Sequence, residues 1–91
     1  MTFVWDEPKR QANLTKHGFD LADFEDAFSF ERFLTIDAAQ SETGRTRFKL
    51  IGTWYGEVVV VAIVSPLGSE ATAVVSVRRA NKTERAAYAV P

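Results

Sequence analysis

One histidine, eleven lysines and arginines, and no cysteine set the chemistry open to this chain. His17 is the only side chain whose unperturbed pKa lies near neutrality, so it is the natural candidate to move a proton. Arg45, Arg47 and Lys49 alternate with Thr46 and Phe48, which on a strand puts all three cations on one face. Ser76 and Arg78 would share a face of another strand in the same way. Cations converging from two such strands suit phosphodiester chemistry, because planar guanidiniums bind non-bridging oxygens bidentately as charge builds on them. RNA can be cleaved there without a metal, since its own 2′-hydroxyl attacks the phosphorus. The same spacing also describes a solvated strand face, and a histidine before a helix-ending glycine also serves as a cap. Spacing alone leaves these alternatives open.

Other chemistries are poorly supplied. There is no phosphate-loop pattern, no G-x-S-x-G and no H-E-x-x-H. A single histidine cannot build a multi-histidine metal site, and the lack of cysteine excludes a Cys-ligated zinc or a disulfide scaffold. Glu25 and Asp26 are adjacent acids, which on a helix point apart and are expected to face solvent. No metal and no cofactor are expected.

The chain of 91 residues is 46% hydrophobic and 25% charged, which fits one folded domain and excludes disorder. Its longest apolar run, Val58 to Val64, is far short of the roughly 20 residues that span a bilayer. No basic region followed by an apolar one opens the sequence, so a cytoplasmic protein without membrane contact is expected. A formal net charge of −1 argues against coating nucleic acid by bulk charge. That value hides segregation: residues 20–37 hold six acids and one base, while Arg45, Arg47 and Lys49, then Arg78, Arg79, Lys82 and Arg85, form basic stretches.

The elements that must position these residues can be read in order. Thr2 to Trp5 reads as a brief strand, and Asp6-Glu7-Pro8 opens a helix in which proline costs no hydrogen bond. That helix should stop at Lys16 or His17, with Gly18 as the left-handed cap. Asp20 caps a second helix whose apolar face is Leu21, Phe24 and Phe28. Strands are expected over Phe33–Asp37, Arg45–Gly52, Glu57–Ser65 and Ala71–Arg78. Turns are expected at Ala38–Gly44, Tyr55–Glu57 and Pro66–Ser69. The valine-rich third of these strands should be central and covered on both faces. Asn81 and Glu84 have capping-box spacing and open a short helix through Tyr88. The order βααββββα predicts a single α+β domain over residues 1–91. Its antiparallel sheet has about four to five strands, with two N-terminal helices and a short C-terminal one.

The residues Trp5-Asp6, Lys9, Asn13, Lys16-His17-Gly18, Phe24, Ala27 and Phe28 form an ordered set. Arg47 with Ile51-Gly52, then Ser76-Val77-Arg78-Arg79-Ala80 and Glu84-Arg85-Ala86-Ala87-Tyr88, continue it. The set resembles the BrnT family of bacterial type II toxins, from about Trp5 to Tyr88. The resemblance implies a RelE-like ribonuclease fold and metal-independent RNA cleavage that arrests translation and growth. It also implies a BrnA-type ribbon-helix-helix antitoxin as partner, with operator DNA reached only through that antitoxin.

Carried over by position, the catalytic candidates are Lys16, His17, Arg47 and Arg78. Arg47 and Arg78 would clamp phosphate, while Lys16 and His17 would bind RNA or move a proton. Arg45, Lys49, Arg79 and Trp5 are substrate-binding candidates, with Trp5 otherwise expected in the core. Glu84 and Tyr88 are weaker candidates, whose alternative roles are helix capping or orienting Arg78, and packing. Asn13 could hold the first helix's last turn or touch a ligand.

Two positions depart from the resemblance. Arg45 stands where many members carry glutamate, and Ala73 where an arginine is common. These departures sustain a second reading, an attenuated or inactive homologue acting as corepressor in a toxin–antitoxin DNA-binding complex. A ligand-binding or purely structural α+β module is the third.

Overall fold

The computed structural model describes residues 2–38 and 45–90. The expected turn at Ala38–Gly44 lies, beyond Ala38, outside them. Five strands, β1 (Thr2–Val4), β2 (Leu34–Ala38), β3 (Arg47–Trp54), β4 (Val58–Leu67) and β5 (Ala71–Arg79), form one sheet in the order β1-β5-β4-β3-β2. β2 to β5 pair antiparallel, as expected. β1 joins the edge of β5 in parallel, pairing Thr2 with Ala71 and Val4 with Ala73. Such a contact between chain ends leaves no local signal in a three-residue strand. Valine-rich β4 is the central strand. It continues through Pro66, beyond its last rung with β3 at Phe48–Val64, where it has one neighbour and needs fewer amide donors.

The helices are α1 (Glu7–His17), α2 (Phe24–Ala27) and α3 (Lys82–Ala89). Asp6 caps α1 by accepting from the Lys9 amide, and Gly18 ends it at φ 80° with its N–H on the Leu14 carbonyl. The second helix is shorter than its apolar spacing suggests. Asp20 opens one 3-10 turn, Leu21–Asp23, and a single α-turn follows. Phe28 is already extended, because the chain there docks on the end of β3: Tyr55 N–H reaches the Ala27 carbonyl at 2.7 Å and Phe28 bridges to Trp54. Leu21, Phe24 and Phe28 are nevertheless all buried. The three-residue turn after β3, Tyr55–Glu57, places Tyr55 and Gly56 at φ 52° and 69° and is closed by the Glu57 N–H on the Trp54 carbonyl at 3.1 Å.

Alternation splits the side chains between two faces. The inner face carries Phe48, Leu50, Trp54, Val60, Ala62, Val64, Val74 and Val77 under Phe19, Leu21, Phe24 and Phe28. Gly52 belongs to this face because a Cβ there would sit 2.6 Å from the Phe28 ring. The outer face packs Ile51 and Val61 beneath Ala80 and Tyr88, so α3 covers it in part. A β-bulge interrupts β5: Ile63 pairs with Ser76 but Val64 with Val74, leaving Val75 as the extra residue. The bulge resets alternation, so that Ala73, Ser76 and Arg78 all fall on the outer face while Val74 and Val77 stay in the core.

Candidate nucleic-acid site

Two clefts meet along α1. The larger, of about 390 Å³, is lined by Trp5, Asp6 and Lys9, by Arg45 and Arg47, and by Ser65, Ala73 and Val75, among others. The smaller, of about 230 Å³, lies between α1 and β5 and is lined by Lys9, Ala12, Asn13, Lys16, His17, Val75 and Ser76. Lys9 and the bulged Val75 belong to both, so the clefts form one groove.

The α1 side of this groove is a single helical stripe. Lys9, Ala12, Asn13, Lys16 and His17 stand at i, i+3, i+4, i+7 and i+8, which one helix face presents together. Only Asn13 of the five is buried. Its side-chain amide donates to the Phe19 and Val77 carbonyls at 2.8 and 3.0 Å, and its Oδ1 accepts from Val77 N–H at 3.1 Å. Asn13 thereby supplies β5 with a rung where β1 has ended and fixes the helix against the strand edge. Of its two expected roles, the hold on local structure is the one these bonds display.

Lys16 and His17 share the smaller cleft, with His17 half-buried and Lys16 exposed. Arg47 and Arg45 share the larger one. Trp5, expected in the core, is 37% exposed and lines the larger cleft, its indole N–H donating to Glu7. The core expectation fails because β1 ends at Val4, one residue short of the expected boundary. Ala73 lines the same cleft as Arg45, so both departures from the resemblance fall in one place.

Arg78 and Lys49 lie apart from these clefts. Glu84, with its side chain 7% exposed, accepts both Arg78 guanidinium nitrogens at 2.8 Å, the Asn81 amide at 2.8 Å and Lys49 Nζ at 2.6 Å. These bonds, the Arg78 pair above all, hold its carboxyl far below the usual carboxylate range despite the opposing cost of burial. A carboxylate so held is a poor proton acceptor. Its pairing in turn raises the already high Arg78 pKa. Glu84 also completes the capping box of α3 with Asn81, so capping and orienting Arg78 are both its work.

Tyr88 packs: the Arg32 guanidinium lies 4.1 Å over its ring, its hydroxyl donates to the Arg32 carbonyl, and Arg32 donates back to the Tyr88 carbonyl. Arg79 pairs with the core residue Val60, which puts it on the face opposite Arg78 and away from both clefts.

Pairing separates the cations further. Arg10, Arg32, Lys49, Arg78 and Arg85 are held by carboxylates or carbonyls. Among the described residues, Lys9, Lys16 and Arg47 have no ion pair or side-chain hydrogen bond, and all three line the groove; Arg79 and Lys82 are likewise unpaired but lie outside it. Unpaired cations around a half-buried imidazole and an exposed indole can bind a polyanion that carries aromatic bases. Lys9 was not singled out for a site from the sequence, although its place in the i, i+3, i+4, i+7, i+8 stripe is a signal that could have found it.

A family model described as the ribonuclease toxin BrnT of type II toxin–antitoxin systems matches residues 5–84. The chain belongs to the BrnT family. Among solved structures, it is similar to the Brucella abortus ribonuclease toxin BrnT, determined at 1.1 Å resolution. The two are 40% identical, with a TM-score of 0.67, over 90% of this chain and 99% of that one. Comparison with curated proteins gives no significant match. The BrnT relationship spans the groove and the Glu84 cluster alike.

Proposed function

We propose that this BrnT-family protein is a metal-independent endoribonuclease that inhibits translation and growth and is neutralised by a BrnA-type ribbon-helix-helix antitoxin. The observation that carries the reading is the groove, where unpaired Lys9 and Lys16 share the smaller cleft with His17 and unpaired Arg47 lines the larger cleft that adjoins it. Its cations suit a phosphate better than a metal ion. Among the described residues, no group of three or more histidines and acids could hold a metal.

In the reaction, the RNA 2′-oxygen bonds to the adjacent phosphorus as the P–O5′ bond breaks. A 2′,3′-cyclic phosphate and a 5′-hydroxyl result. His17 and Lys16 divide the two proton transfers, one taking the 2′-proton and the other supplying a proton to the departing O5′, and Arg47 stabilises the charge on the non-bridging oxygens. Arg78, anchored by Glu84 outside the two clefts, binds a further phosphate of the strand beside Lys49. Trp5 offers a ring on which an unpaired base can stack. Action in the cytoplasm follows from the RNA substrate.

Inducible expression in a bacterial host, with growth, protein level and total RNA followed together, tests this reading. Growth arrest with RNA cleavage is expected for the parent chain and not for Arg47→Ala/Arg78→Ala. Removing Arg78 leaves Glu84 with Lys49 as its one cationic partner, so Arg47→Ala by itself is the cleaner arm, with a loss of roughly 10²–10³ in rate expected. Normal growth and intact RNA with abundant folded parent protein would refute the nuclease reading. The corepressor reading would then take its place, Ala73 in the larger cleft being the feature that favours it.

A further inference from the structure

The geometry points to Lys9 as a substrate-binding residue that joins the two clefts into one track, holding a phosphate of single-stranded RNA between the Arg47 end and the His17 end. This inference rests on the ribonuclease reading and adds to it both a residue and a path.

Three observations carry it. Among the described residues, Lys9 is the only charged side chain that lines both clefts. Its ammonium has no ion pair among the described residues, and Asp6, which lines the larger cleft with it, turns Oδ2 to the Lys9 amide. Its position is also electrostatically unfavourable for the fold. Lys9 lies in the first turn of α1, the positive end of the helix dipole, where an acid would be preferred. A cation kept there against the helix serves something outside it.

The junction is built for passage rather than packing. Val75 lies beneath it as the bulged residue of β5, and the groove wall opposite is lined by Ala73 and Ser76. Small residues leave room for a backbone to run from one cleft to the other. A track along one helix stripe, with Trp5 at one end, fits a flexible single strand whose bases can turn outward. A rigid duplex is the poorer fit.

The test uses a fluorescein-labelled single-stranded 2′-O-methyl oligoribonucleotide of about ten nucleotides, which lacks the attacking hydroxyl and so reports binding alone. Fluorescence polarisation would be titrated at several salt concentrations for the parent chain, Lys9→Ala and Lys9→Arg. Cleavage of the matching unmodified RNA by the parent chain would be followed in parallel.

Lys9→Ala should bind about tenfold more weakly, and its slope of log affinity against log salt should be shallower by about 0.7, the loss of one phosphate contact. Lys9→Arg should restore both. Circular dichroism should show an unchanged fold, with thermal stability the same or slightly higher because the opposed charge is gone. Unchanged affinity and slope in Lys9→Ala, with the parent cleaving RNA, would overturn the inference and leave the ribonuclease reading standing. A parent chain that neither binds the oligonucleotide nor cleaves RNA would overturn both.

Discussion

Glu84 binds Arg78 through both carboxylate oxygens, at 2.8 Å each, and receives Lys49 on one of them at 2.6 Å. One nearly buried acid thus fastens α3 to two strands of the outer face. Glu84→Gln should cost about 2 kcal/mol in chemical denaturation. That lies below the ~3–5 expected when one partner of a fully buried pair is removed, because Arg78 is itself 37% exposed. The sign of the pH dependence follows from the depressed carboxyl. Its stabilisation is complete above the ordinary carboxylate value near 4.5 and is lost as pH falls below it. Between about pH 5 and pH 3 the parent chain should therefore lose stability more steeply than Glu84→Gln. Parallel slopes would show that the ion pair contributes little.

His17 is expected to shape the pH profile of cleavage. His17→Gln keeps a polar side chain at the end of α1 but cannot exchange a proton near neutrality. Its rate should fall by roughly 10²–10³ and lose the limb of the profile that the imidazole gives the parent. Initial rates on a short RNA between about pH 5 and pH 9 would show this. Activity that persists with an unchanged profile removes His17 from proton transfer and leaves Lys16 as the candidate.

Asn13 should matter for stability out of proportion to its size. Asn13→Ala leaves the Val77 N–H and C=O and the Phe19 carbonyl without that partner. At about 1–3 kcal/mol for each buried group left unsatisfied, a loss of about 3 kcal/mol is expected. Hydrogen exchange should report the loss first at the Val77 amide. Asn13→Asp should cost a similar amount, since it keeps the acceptor for Val77 N–H but turns the donor into a second acceptor facing two carbonyls.

Ala73→Arg offers a gain rather than a loss. The larger cleft holds about 390 Å³ beside Ala73, so a guanidinium can enter it next to Arg47. RNA affinity should rise about fivefold, with a salt slope steeper by about 0.7. The salt-dependent titration that tests Lys9 would measure it. An unchanged slope would mean that Arg45 already occupies the phosphate position that the new arginine could reach.

Local punctuation made much of the framework legible. Asp6, Pro8 and Gly18 bracket α1, Asn81 and Glu84 open α3, and a valine run marks the central strand. What escaped was non-local. The parallel pairing of β1 joins the two ends of the chain, and the turn of Phe28 away from helix depends on where β3 ends. That Arg47 shares a face with Lys49, and Ser76 with Arg78, followed from period-two spacing within each strand. Spacing could not show that Glu84 would bind Arg78 and Lys49 while leaving Arg47 unpaired in a separate cleft. Arg79 on the face opposite Arg78 was missed because the expected strand stopped at Arg78, one residue short of the end of β5. Lys9 was missed for a different reason: as a lysine in a helix's first turn, it looks like ordinary surface until the strand beside it is in place.

The tie between Asn13 and Val77 separates fastening from lining. Helix α1 is moored by one buried amide on the stripe that faces the groove, while Lys9, Ala12 and Lys16 on that stripe are exposed and bear no share of the mooring. Mutation can therefore exchange the groove's outer charges one at a time, retuning its electrostatics, without the helix leaving its berth. Divergence of activity across such a scaffold needs no rescue of the fold.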